Sequence, residues 1–201
     1  MEKNKILILL CFLLLAGATE AQNFHASPFL RKGMMKISSG GTAGVMAANP
    51  VQEIFLTANF SYSIEDRIAV RTDFFLFMPD YNFEGELEKN SSILLGPEFN
   101  FPYGRFDLAL LFEPGLSFTR LAGGTLDNKV QAEPVMTFSL ATYYFLFQNF
   151  HVFASACYLH GNYFLESQDP FRLDEFRITA GLGINIFVNH QPAFQRKRTR
   201  F

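Results

Sequence analysis

The stretch that decides the fold lies near the end of the chain: Glu175, Phe176, Arg177, Ile178, Thr179, Ala180, Gly181, Leu182, Gly183, Ile184, Asn185, Ile186, Phe187. Read with period two, Phe176, Ile178, Ala180, Leu182, Ile184 and Ile186 share one face, while Glu175, Arg177, Thr179, Gly181, Gly183 and Asn185 share the other. This is a strand with one apolar side and one polar side. It is longer than the ~5 to 6 residues usual in soluble sheets and covers the ~9 to 11 that a tilted strand needs to cross a bilayer.

The same pattern recurs upstream. Ile54, Leu56, Ala58, Phe60 and Tyr62 alternate with Glu53, Thr57, Asn59, Ser61 and Ser63, and Phe55 breaks the rule. After a tight turn at Glu65 and Asp66, Ile68, Val70, Thr72, Phe74 and Leu76 alternate with Arg67, Ala69, Arg71, Asp73 and Phe75. Further strands are expected over residues 93–101, 105–118, 133–146 and 150–163, with a weak, Gly- and Ser-rich first strand over 35–43. Short turns follow the second, fourth and sixth strands. Long polar loops, at 79–91, 120–129 and 165–174, follow the third, fifth and seventh. The expected fold is all-β: an eight-stranded, antiparallel, up-and-down transmembrane β-barrel over residues 34–188, with short turns on one side of the membrane and long loops on the other.

Alternation alone does not orient the staves, because a soluble lipocalin-type barrel keeps its apolar face inside. Here the apolar face is nearly uninterrupted, with Tyr62, Phe101, Phe106 and Tyr144 near the short turns as an aromatic girdle requires. The other face carries Arg71, Asp73, Glu98, Asp107, Glu113, Glu133 and Arg177. Such a set suits a charge cluster paired across a narrow lumen better than a cavity for an apolar ligand. An outward face bathed in lipid is one destination for the abundant phenylalanine, 25 residues in a chain without tryptophan.

Residues 1–21 have the parts of a cleaved signal peptide: Lys3 and Lys5, an apolar run over 6–16, and small residues at Ala16, Ala18 and Ala21, with cleavage after Ala18 or Ala21. Residues 22–33 form an N-terminal lead-in, and 189–201 a basic periplasmic tail with Arg196, Lys197, Arg198 and Arg200. Cys11 leaves with the signal, so Cys157 has no partner for a disulfide. With 17 basic and 19 acidic residues the formal charge is −2, which offers nothing to nucleic acid.

The export signal, the alternation of short turns and long loops, and the final strand resemble the small eight-stranded outer-membrane β-barrels of Gram-negative bacteria, of the OmpA and OmpX type. Thr179, Gly181, Ile184 and Ile186 stand where that family's assembly signal has a polar residue, a glycine and two apolar residues. The resemblance implies a monomer in the cell outer membrane, surrounded by outer-membrane lipids, inserted by the barrel-assembly machinery and open to an extracellular partner through its loops. The chain departs from the family by continuing beyond Phe187.

Candidate chemistry is sparse. Pro97 precedes Glu98, Glu113 precedes Pro114, and Glu133 precedes Pro134; each proline marks a bulge or break in pairing, and each glutamate faces the lumen. Two readings follow: an acidic cluster below the outer mouth that binds a cation, or neutralisation of Arg71, Arg177 and Lys36 in a closed network. His151 lies beside a short turn, and His160, near the upper rim, is on the opposite face from Ser155. No catalytic set, cofactor site or metal-spaced motif is recognised, so the chain is not read as an enzyme. The expected role is structural or surface-interacting, with a lipid-modifying enzyme and a soluble periplasmic ligand-binding barrel as the alternatives.

Overall fold

A computed structural model describes residues 29–47, 52–78, 87–121, 130–161 and 173–188. The signal peptide, residues 22–28 of the lead-in, the basic tail and the centres of the long loops lie outside the described residues. Eight strands form one closed antiparallel barrel: β1 (Met34–Met46), β2 (Gln52–Glu65), β3 (Ile68–Phe77), β4 (Leu87–Tyr103), β5 (Phe106–Leu121), β6 (Gln131–Phe147), β7 (Phe150–Gly161) and β8 (Glu175–Phe187). Each pairs with its sequence neighbours, and β8 closes on β1.

Register sets the shape. A circuit leaving β2 at Ser63 passes Ala69, Glu98, Leu111, Ser139, Cys157, Arg177 and Gly44, then re-enters β2 at Glu53, ten residues along. With eight strands that stagger tilts the staves by about 40° and leaves a bore that side chains fill.

The apolar faces point out. Phe74, Leu110 and Ile184 are 38%, 46% and 41% exposed, whereas Arg71, Glu98 and Arg177 are buried. At the short-turn end the exposed rings of Tyr62, Phe101, Tyr103, Phe106, Phe147 and Phe150 form a girdle, and the Phe106 and Tyr144 rings meet at 4.7 Å. An apolar exterior around a polar, filled interior is the inverse of a lipocalin-type ligand barrel, so the soluble reading fails on polarity.

Three local expectations need correction. The first strand runs the full 13 residues and pairs along its length with both β2 and β8. Its glycines serve that closure: Gly40 lies opposite Gly181, and a Cβ on either would sit 2.2 Å from a carbonyl oxygen of the facing strand. Residues 87–91, expected in a loop, begin β4 instead, and Asn90 and Ser92 face inward. Polar residues at alternate positions resemble loop sequence yet suit a barrel's inner face. Of the three prolines, Pro97 and Pro114 lie within an interruption of the β4–β5 ladder between Leu94/Gly115 and Glu98/Leu111, whereas Pro134 pairs in register with Leu116. A missing N–H leaves the rest of a strand free to stay in register.

The lead-in closes the short-turn end. Leu30 is buried, Phe29 stacks on Phe145 with ring centroids 5.5 Å apart, and Lys32 Nζ reaches Glu65 at 2.7 Å.

Candidate functional site

The polar residues that the pleat turns inward form two ionic networks joined by a threonine rung. In the lower network, near the short turns, Lys36 Nζ from β1 donates to Glu98 Oε1 from β4 at 2.5 Å, and Ser61 Oγ from β2 donates to Glu98 Oε2 at 2.7 Å. Lys36 also lies 3.9 Å from Asp107 and 3.8 Å from the centroid of the Tyr143 ring. With its amide nitrogen turned to the carboxylates, Asn100 donates to Asp107 at 2.7 Å and to Glu98 at 2.9 Å. Arg71 forks onto Asp73, at 2.7 and 2.9 Å, and donates to the Tyr143 hydroxyl at 2.5 Å.

At mid-height Thr42 hydrogen-bonds Thr57 on one side and Thr179 on the other, the latter at 2.7 Å, tying β2, β1 and β8 across the closing seam. In the upper network Arg177 donates to Glu175 at 2.7 Å and to Ser92 at 2.8 Å, and its guanidinium lies 4.3 and 4.6 Å from the Phe55 and Phe75 ring centroids. Phe55 thus breaks the alternation because its ring supports a buried cation. Asn90 donates to Glu53 at 2.7 Å and to Glu175 at 3.4 Å, and accepts from Ser117 at 2.9 Å.

All seven residues assigned to the interior cluster are buried. They are not one cluster. Glu98 belongs to the lower network. Glu113 lies two residues higher, beside the ladder interruption, and neither of its carboxylate oxygens has a hydrogen-bond partner. Glu133 lies four residues beyond Thr137, the residue opposite Glu113, towards the outer mouth. The stagger carries successive strands upward, so equivalent Pro–Glu positions on neighbouring strands end at different depths. Both arginines take their carboxylate from their own strand: Arg71 with Asp73, and Arg177 with Glu175. The spacing i, i+2 on one face was a legible signal for these pairs and so for Glu175, whereas Glu53 and Tyr143, which meet Asn90 and Arg71 from other strands, carried no such signal.

His151, expected beside a short turn, stands at the start of β7 and turns into the lumen. It is buried, with Nε2 2.8 Å from Ser38 Oγ and Nδ1 2.8 Å from Asn185 Oδ1. A Cβ on Gly183 would lie 2.3 Å from the imidazole, so the ring occupies the space that glycine leaves. The order Ser–His–Asn matches a hydrolytic relay, but all three residues are buried within the filled lumen and the lead-in covers that end. The hydrogen bonds brace β1, β7 and β8. His160 is on the outer side of β7, its Nδ1 2.6 Å from Asp174 and apart from part-buried Ser155. Among the described residues no three His, Cys, Asp or Glu side chains are grouped to hold a metal ion. Of the assembly-signal positions, Thr179 points into the lumen, Gly181 sits at the closing seam, and Ile184 and Ile186 are exposed on the outer face.

An antiparallel closed barrel of eight membrane-length staves, with an apolar exterior, an aromatic girdle and a polar interior, defines a small transmembrane β-barrel, the architecture of Gram-negative outer-membrane proteins. Solved structures share this fold. The attachment invasion locus protein Ail of Yersinia pestis is similar at 14% identity and TM-score 0.53, over 77% of this chain and 99% of that one. Neisserial surface protein A is similar at 14% identity and TM-score 0.56, over 75% and 95%. The outer membrane protein OprG of Pseudomonas aeruginosa is similar at 12% identity and TM-score 0.51, over 80% and 99%. No family model matches the sequence, and no curated protein matches it.

Proposed function

We propose that the barrel is a closed scaffold in the outer membrane whose function is surface interaction, carried by the long connections at one end. The observation that supports this is the interior: Lys36–Glu98 joins β1 to β4, the pairs Arg71–Asp73 and Arg177–Glu175 lie buried along β3 and β8, and among the described residues the bore is filled by such inward side chains. Outward Ile184 and Ile186 on β8 give the barrel-assembly machinery an exposed apolar edge during insertion. Catalysis is not part of this reading.

Ail has been solved in complex with the heparin analogue sucrose octasulfate. The long connections of this chain are acidic on balance. Asp80, Glu84, Glu86, Asp127, Glu166, Asp169 and Asp174 outnumber Lys129 and Arg172, which favours a basic partner over a sulfated one. An epitope inserted after Asn82 should be stained on intact cells. Cells displaying the chain should adhere to polylysine-coated beads more than to heparin-coated beads, and shortening the three loops should remove the difference while the heat-modifiable gel shift persists. Preference for heparin would reverse the charge argument, and rapid swelling of proteoliposomes in sugar solution would replace the scaffold reading with a pore.

A further inference from the structure

The interior of the described barrel buries seven carboxyl groups, Glu53, Asp73, Glu98, Asp107, Glu113, Glu133 and Glu175, against three cations, Lys36, Arg71 and Arg177. The surplus has structural focus beneath the outer mouth. Gly44 on β1 lies between Arg177 of β8 and Glu53 of β2 in the ladder, and a Cβ on Gly44 would fall 1.9 Å from Glu175 Oε1. The missing side chain therefore lets Glu175 lean across β1 towards Glu53. Asn90 Nδ2 bonds one oxygen of each carboxylate, at 2.7 and 3.4 Å, and the other oxygen of each, Oε1, has no partner. Arg177 serves Glu175, so Glu53 has no cation bonded to it among the described residues.

A second observation comes from the facing wall. Thr119 on β5 lies opposite Asn90, is fully buried and turned into the lumen, and its Oγ1 also has no partner. Three oxygens without a donor thus belong to residues that bond Asn90 or pair with it in the ladder, two of them carboxylate oxygens. Oxygen-only ligation with a carboxylate pair is the chemistry of hard cations, and Ca2+ tolerates the irregular, water-completed geometry that two carboxylates and a hydroxyl provide. We propose that Glu53 and Glu175, with Thr119, hold a hard divalent cation of the Ca2+ class beneath the outer mouth. This site is separate from the Glu98, Glu113 and Glu133 grouping expected from the proline pattern, which the register disperses.

The test uses the full chain refolded in detergent micelles and equilibrium dialysis against radioactive Ca2+. The expected result is saturable uptake of one Ca2+ per barrel with a dissociation constant of about 0.1–1 mM, as in weak extracellular sites. Glu53→Gln should weaken uptake at least tenfold. Gly44→Ala should do the same without altering charge, because its Cβ occupies the position of Glu175 Oε1. Lys36→Met combined with Glu98→Gln, which removes the lower ion pair whole, should leave uptake unchanged. Absence of uptake by the wild-type barrel at about ten times that range, or equal uptake by wild type, Glu53→Gln and Gly44→Ala, would overturn the proposal and assign the surplus charge to protons. Should Glu53→Gln not fold, Gly44→Ala and Thr119→Val read the same site.

Discussion

Lys36 offers the sharpest test of how the interior is held together. Its ammonium lies 2.5 Å from Glu98, and the two side chains are 1% and 0% exposed. At an effective dielectric constant of about 20 the attraction across that distance is about 6–7 kcal/mol. Bringing both charges out of water offsets most of it, since the penalty is several kcal/mol per ion. The pair is therefore near break-even as a pair and expensive to split. Lys36→Met leaves Glu98 with Ser61 and Asn100 but no bonded cation, and should destabilise the barrel by about 3–5 kcal/mol. Glu98→Gln in the same chain should recover most of that loss. The assay is urea unfolding of barrels refolded in lipid vesicles, followed by far-ultraviolet circular dichroism and the gel shift of the unheated protein. A loss below about 1 kcal/mol for Lys36→Met, or a double variant no better than the single one, would refute the reasoning, because such values belong to solvated ion pairs.

Four further outcomes follow from the same structure. Phe74→Arg places a charge on the lipid face and should cost about 2–4 kcal/mol in vesicles near mid-depth, with a much smaller effect in detergent; equal effects would count against the outward assignment. Gly183→Ala drives a methyl into the His151 ring and should destabilise by about 1–3 kcal/mol, whereas Ser38→Ala should leave the lipid A composition of the envelope unchanged and Ser38 should resist fluorophosphonate labelling in the wild type. Phe29→Ala removes the stack that closes the short-turn end, and should speed amide hydrogen exchange around Phe145 and His151 while β8 near Glu175 keeps its protection. At the membrane boundary, the hydrogen bond to Glu65 raises the Lys32 pKa above 10.5. A raised folded-state value means that this contact contributes fully below pH 10.5 and is lost as the pH climbs past it, so proteolysis within the lead-in should rise there in wild type and be independent of pH in Lys32→Gln.

The division between what the residues announce and what folding decides follows the range of the interactions. Which side of each stave meets lipid was legible in Ile54 to Tyr62 and in Phe176 to Ile186, because the pleat reverses direction at every residue whatever lies across the sheet. Strand number and the alternation of short and long connections were legible for the same reason, with the first stave underestimated because Gly40 and Gly41 resemble a breaker. Partnership was not legible. Glu98 meets Lys36 on β1, Glu113 meets no donor, and Glu175 leans over Gly44, because a stagger of ten residues sets each strand's depth and only the closed barrel fixes that stagger. Phe55 and His151 make the point residue by residue: one faces the lumen because Arg177 lies over its ring, the other because Gly183 leaves room for it. The sequence by itself determined a barrel with an apolar outside and a charged inside, since sidedness is a property of neighbouring residues along one strand. The tertiary structure decided which charges meet and which oxygens are left without donors, since those contacts join residues that closure alone brings to the same depth.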